Sequence, residues 1–277
     1  MPHHTTPFRT HDGLRLHPHD WPLPRPRARL LLVHGLGEHG GRYARLAGEL
    51  NAAGIAVRAY DQRGHGRSEG KAGTVGSMDD APSRDVAAIF DRYAAEADDL
   101  PFLFGHSMGG LVVMHAVTVL GLAPRGVIAS APALASHANN AQRALARLLS
   151  TLWPSLTLRN GLPANRLSHA PQVEREYLDD PLNHERISAR LAHFIFTGGP
   201  AVIEQAPRLS LPLLLQIAGD DHLVDPSGAR RFAAAAPTQW LEVHDYAGLY
   251  HELYNEAEAS RARVVGDLLH WLKRQLA

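Results

Sequence analysis

Ser107 stands in Gly105-His106-Ser107-Met108-Gly109-Gly110, between the apolar runs Phe102-Leu103-Phe104 and Leu111-Val112-Val113-Met114. The pattern reads as a short buried strand, a tight turn with a serine at its tip, and a helix. A G-x-S-x-G match needs that setting before its serine can act as a nucleophile. Gly105 and Gly109 remove the Cβ atoms that would collide with neighbouring backbone. Met108 presents its backbone N–H at the helix start, where unpaired N–H groups and the dipole favour negative charge. A serine that merely caps the helix is the competing reading. The strand before and the helix after favour the nucleophile.

A serine nucleophile needs a base to take its proton, and the base needs an acid to orient it. The acid belongs at the end of a late strand, where Ala218 to Asp225 offers Asp220, Asp221 and Asp225. Adjacent Asp220 and Asp221 cannot both point inward, and Asp225 before Pro226 also reads as a helix cap. The base belongs after the last strand, where His244, His251 and His270 are available. Gly248 lets the loop bend toward the sheet, and His251 precedes the closing helix, so His251 is the candidate base. The developing oxyanion would be held by two backbone donors, Met108 N–H and Leu36 N–H in His34-Gly35-Leu36-Gly37. His34 is expected to orient that loop from below.

These residues must be carried by a scaffold. Leu30-Leu31-Leu32-Val33, Ile55 to Tyr60, the run before Ser107, Gly126 to Ser130 and Leu211 to Ile217 are short apolar runs, as for strands covered on both faces. Gln239 to Val243 is the last strand. Helical spacing separates them around Arg42 to Asn51, Asp85 to Ala97, Ser227 to Ala235 and Ala257 to Leu276. The alternation predicts an α/β fold with a doubly wound, mostly parallel sheet and the chemistry at the carboxyl ends of its strands. At the start, Asp12-Gly13 is expected to be a two-residue hairpin turn. From about Leu134 to Gln205 the rhythm changes, and no short strand-like run recurs. Residues 134–205 are therefore expected to form a helical cap inserted into a core of 1–133 and 206–277. The stripe Leu145, Leu148, Leu149, Leu152, Trp153 and Leu156 should pack on the core and line an apolar channel, with lipid contact by its outer face as the alternative.

The formal net charge is zero, which gives no electrostatic footprint for nucleic acid. No cysteine is present, so thiolate chemistry and disulfides are excluded. No apolar run suits a signal peptide or a bilayer span, and a soluble cytoplasmic protein is the expectation. The 18 histidines weaken any reasoning from a single one. His3, His4, His17 and His19 are expected to be surface residues rather than metal ligands, and neither metal nor cofactor is required by the chemistry.

Taken together, His34-Gly-Leu-Gly-Glu-His39 with Gly41-Arg-Tyr43, Asp61 to Ser68, Gly105 to Gly110, Asp180-Pro-Leu182 and Tyr250-His-Glu252 resemble monoacylglycerol lipases and lysophospholipase-like serine hydrolases of the α/β-hydrolase fold. The resemblance favours Asp221 as the acid, because Leu223-Val224-Asp225-Pro226 follows it as in the family. It implies a cofactor-free hydrolase acting on a single-chain lipid ester, with monoacylglycerol first and a lysophospholipid or a small or aryl ester as alternatives. It further implies that Glu38, Arg42 and Tyr177 line a polar pocket for a glycerol headgroup; the plain alternative for Glu38 and Arg42 is a surface ion pair. By the same resemblance Arg63 and His65 serve packing. Tyr254 stands where mammalian members carry a histidine facing the headgroup. Dehalogenases and epoxide hydrolases are disfavoured, since they carry aspartate at the nucleophile position. A catalytically silent binding protein is disfavoured because every required residue type is present.

Overall fold

The computed structural model describes residues 6–277; the reading of His3 and His4 lies outside them. The chain opens with β1 (Phe8–Arg9), β2 (Arg15–Leu16), β3 (Pro18–Trp21), β4 (Ala28–Val33), α1 (Ala44–Ala52), β5 (Ile55–Tyr60) and α2 (Ala81–Ala94). Next come β6 (Phe102–His106), α3 (Met108–Thr118), β7 (Val127–Ser130), α4 (Asn140–Leu152), β8 (Thr157–Arg159), α5 (Pro171–Asp179), β9 (Arg186–Ser188) and α6 (Ala189–Gln205). The last elements are β10 (Leu213–Ala218), α7 (Ser227–Ala235), β11 (Leu241–Tyr246) and α8 (Glu258–Gln275).

Seven strands form one sheet in the order β11-β10-β7-β6-β4-β5-β3. Every pairing is parallel except β3 with β5. The period-two alternation of each strand divides the core in two. Leu31, Val33, Leu103, Val127 and Leu215 face α2, α3, α6 and α7, while Leu30, Leu32, Phe102, Phe104 and Leu214 face α1 and α8. Strand order reverses between β4 and β6, and the crevice at such a switch point is where ligands bind in open α/β sheets. The loop with Leu36 and the turn with Ser107 flank it.

Four expectations change. Asp12-Gly13 is not a two-residue turn: Phe8 pairs with Leu16 and Arg9 with Arg15, which leaves a five-residue connection. Thr10 closes it by bonding Leu14 N–H through its hydroxyl, and Asp12 is drawn to Arg63 at 3.0 Å. The last strand lies later than expected, at Leu241–Tyr246, because it is an edge strand whose alternating half-exposure blurs its hydrophobic signal. The segment 134–205 is not purely helical, since β8 and β9 pair antiparallel as a short ribbon. Finally, the leucine stripe does not pack on the sheet. Leu145, Leu148, Leu152, Trp153 and Leu156 are exposed, and α4 rests against α6 instead. Helix α6, by contrast, shares the sheet's own core through Leu191, Phe194 and Val202.

Candidate active site

The turn after β6 is forced by contact on both sides. A Cβ on Gly105 would strike the carbonyl of Gly109, and one on Gly109 would strike the carbonyl of Val33. Ser107 itself adopts φ 55° and ψ −119°. Non-glycine residues at positive φ cost of order 1–3 kcal/mol, so the surroundings must hold the turn. They do so through the backbone: Ser107 N–H donates to Ser130 O at 2.9 Å, and its carbonyl accepts from Leu111 and Ala133. Helix α3 begins at Met108, the residue after the serine.

Asp221 and His251 meet 30 residues apart in sequence. His251 Nδ1 donates to Asp221 Oδ2 at 2.6 Å, and both side chains are almost fully buried. Asp221 Oδ1 accepts Leu223 N–H at 2.8 Å and Val224 N–H at 2.9 Å. Burial pushes this carboxyl's pKa up, but the charge and hydrogen bond of His251 and the two backbone donors outweigh it and hold it below the usual range. Burial likewise pulls His251 down, and Asp221 chiefly, with Glu252 and Glu38, raises it above the ordinary imidazole value. The other carboxylates are engaged elsewhere. Asp225 Oδ1 accepts Ser227 N–H at 2.9 Å at the start of α7, and Asp220 is exposed beside His222. His244 pairs with Glu242 at the sheet edge, and His270 is exposed on α8.

The loop after β4 is fixed from below. His34 Nε2 accepts Gln62 N–H at 2.8 Å, which leaves Nδ1–H to donate to Gly35 O. Gly35 N–H donates to Glu38 Oε1 at 2.6 Å, so the loop folds back over its own glutamate. A recess of about 30 Å³ is lined by Leu36, Glu38, Arg42, Ser107, Tyr177 and His251, among others. A second cavity of about 500 Å³, lined by Leu36, Ser107, Met108, Leu145, Leu149 and Phe196 among others, adjoins it and shares Leu36, Ser107 and Leu223 with it. Ser107 thus lines both a small recess that holds the charged side chains of Glu38, Arg42 and Glu252 and a large, mostly apolar cavity.

Glu38 and Arg42 are not a surface ion pair. Arg42 Nη1 donates to Glu38 Oε2 at 2.6 Å and to Glu252 Oε1 at 2.8 Å, and Nη2 donates to Glu252 Oε2 at 2.9 Å. Tyr177 places its ring under this guanidinium and its hydroxyl 3.2 Å from Gly37 O. Sequence reasoning missed Glu252. Its signal was its place beside His251, but its partner lies 210 residues away, beyond any local spacing rule. Glu256 was missed too. Its carboxylate accepts from the N–H groups of Tyr250, His169 and Ala257 and bonds His169 Nδ1, which ties residues 168–169 to the His251 loop.

Tyr254 does not face the recess: it is buried, and its hydroxyl donates to Gln216 Oε1 beneath the sheet end. Arg63 is a packing residue, fully buried and paired with Asp85. His17 and His19 are not surface residues but half-buried. His19, His39 and Asp61 bring possible ligand atoms within 4.8 Å, yet His19 Nε2 already bonds Asp61 at 2.7 Å and His39 Nε2 bonds Asp180 at 2.9 Å. Asp61 also receives Gly40 N–H and Arg67 N–H, so the cluster reads as a loop staple.

A family model described as Hydrolase_4, serine aminopeptidase, S33, matches residues 24–258. An uncharacterized abhydrolase domain-containing protein of Dictyostelium discoideum is 32% identical over 259 residues, covering 92% of this chain but only 27% of that much longer protein. A monoacylglycerol lipase of Mycolicibacterium smegmatis is 31% identical over 269 residues, 95% of each chain. The crystal structure of a monoacylglycerol lipase from Paleococcus ferrophilus superimposes with a TM-score of 0.85 at 35% identity, covering 94% of this chain and 99% of that one. Among the described residues no helix is long and apolar enough to cross a membrane. With a seven-stranded α/β sheet, a serine on a strained strand-to-helix turn and this match over most of its length, the chain belongs to that family of serine hydrolases with the α/β-hydrolase fold.

Proposed function

We propose that this chain is a monoacylglycerol hydrolase in which Ser107 is the nucleophile, His251 the general base and acid, and Asp221 the orienting acid. The observation that carries the reading is that Ser107 lines both the recess with the charged side chains and the large apolar cavity, and that His251, bonded to Asp221, lines the same recess. The names of the two lipase relatives support the substrate. His251 Nε2 takes the Ser107 hydroxyl proton as Oγ attacks the ester carbonyl. The tetrahedral oxyanion is held by Leu36 and Met108 N–H groups, each worth on the order of 3 kcal/mol in such sites. His251 then protonates the departing glycerol oxygen and leaves an acyl-Ser107. Water, deprotonated by His251, attacks that ester, and the fatty acid leaves as Ser107 recovers its proton. Glu38, Arg42 and Tyr177 surround the glycerol, while the larger cavity takes the acyl chain at roughly 0.8 kcal/mol per buried methylene.

No step calls for a metal or cofactor. Residues 134–205 act as the cap over this site, and the exposed face of α4 meets the lipid surface that supplies the substrate, in the cytoplasm. The test is a screen of the purified chain against monoacylglycerols and p-nitrophenyl esters of graded length, with fluorophosphonate labelling of Ser107. Medium and long chains should give the higher kcat/KM, and Tyr177→Phe should reduce monoacylglycerol turnover more than that of p-nitrophenyl esters. A strong preference for acetate esters would overturn the lipid reading and leave the serine esterase.

A further inference from the structure

Arg42 is the cation that a headgroup would meet first, yet its charge is already over-matched. Glu252 grips it with both carboxylate oxygens, at 2.8 and 2.9 Å, and Glu38 takes a third bond at 2.6 Å. All three side chains are largely removed from water, the carboxylates at 5% exposure and the guanidinium at 11%. Glu38 stays ionised: burial would raise its pKa, but Arg42, His106, His34 and the Gly35 N–H hold it at about 2. Of the other titratable groups lining the recess, Glu185 is paired with Arg159, His251 is paired with Asp221, and burial pulls the pKa of His106 down to about 4, so that it stays neutral. Two buried carboxylates therefore face one guanidinium, and the recess carries a net negative charge.

We infer that Glu252 is a specificity-determining residue that closes the recess to anionic headgroups, so that the enzyme selects esters whose alcohol is uncharged and turns away those carrying a phosphate. A phosphate could reach the guanidinium only by displacing a bidentate carboxylate, the geometry in which arginine binds such groups best. If it did not displace it, it would lie against uncompensated negative charge where little water screens the repulsion. An uncharged diol has no such conflict, since it can donate to the carboxylates. This inference rests on the proposed placement of the headgroup in the recess.

The test uses two non-hydrolysable ethers, 1-O-dodecylglycerol and its 3-phosphate, as competitive inhibitors of p-nitrophenyl laurate hydrolysis by the full chain. Inhibition does not require that monoacylglycerol be a substrate. A wrong substrate assignment would instead show as p-nitrophenyl laurate turnover without monolaurin turnover. The phosphate should inhibit at least about tenfold more weakly than the neutral ether, and the gap should shrink as salt rises. Glu252→Gln, which keeps the shape and removes one charge, should narrow the gap several-fold, mainly through tighter binding of the phosphate. Equal inhibition by the two ethers in the unmodified protein, or a Gln variant that weakens both alike, would overturn the inference. Should the variant fail to fold, the inhibition ratio and its salt dependence in the unmodified protein decide the matter alone.

Discussion

The turn at Ser107 and the helix α4 are both built on apolar runs, but they use them in opposite ways. Around Ser107 every apolar neighbour is consumed: β6 is wholly buried, and so are Met108 to His115 at the start of α3. On α4, Leu145, Leu148 and Leu152 are more than half exposed, at 52%, 54% and 54%. That helix is held by local signals instead. Asn139 Oδ1 accepts Gln142 N–H and Gln142 Oε1 accepts Asn139 N–H, a reciprocal cap, and α6 supports its inner side. Ser107 sits on backbone that packing over-determines, while the apolar face of α4 is left exposed.

The sharpest break of this comparison is at the turn. Ser107→Ala should reduce turnover by about 10⁴-fold or more and abolish fluorophosphonate labelling, with the melting temperature nearly unchanged. Retained turnover would remove the nucleophile. Next in size, Asp221→Asn should cost about 10³–10⁴ in kcat, because the imidazole loses the anion that fixes its tautomer. Asp225→Asn should cost less than about tenfold; the reverse order would move the acid to Asp225.

Stability should separate the two regions as well. Leu103→Ala, in the buried strand before the turn, should destabilise by about 2–5 kcal/mol in urea unfolding. Leu148→Ser should stay within about 0.5 kcal/mol. Equal losses would mean that the outer face of α4 is packed in solution. On lipid emulsions, Leu148→Ser with Trp153→Ser should slow monoacylglycerol turnover a few-fold while sparing a dissolved short-chain ester.

The smallest effect is in pH dependence. His251 must be neutral to accept a proton. Burial alone would depress its pKa, but Asp221 chiefly, then Glu252 and Glu38, raise it above the ordinary 6.5. Protonation therefore sets in at a higher pH than for a free imidazole, and kcat/KM should fall as pH drops through a value above 6.5. Glu252→Gln removes one of the raising charges and should shift that acid limb downward. A limb that stays in place would show that Glu252 does not act on the base.

The sequence by itself determined the alternation of strands and helices, the turn at Ser107 and the loops that carry Leu36, Asp221 and His251. Each follows from contacts within a few residues: period-two burial, glycines where a Cβ has no room, and a helix start directly after the serine. The strand β3 escaped because its residues, Pro18 to Trp21, lie at a sheet edge and are mostly half-buried, so no apolar run marks them. Only the tertiary structure decided which carboxylate faces His251, since Asp220, Asp221 and Asp225 share one loop and differ only in the direction their side chains take. It alone joined Arg42 to Glu252 across 210 positions and turned Tyr254 into the core beside Phe104. Charge pairing and facing are set by where the sheet brings strand ends together, and a chain's local propensities carry no record of that distance.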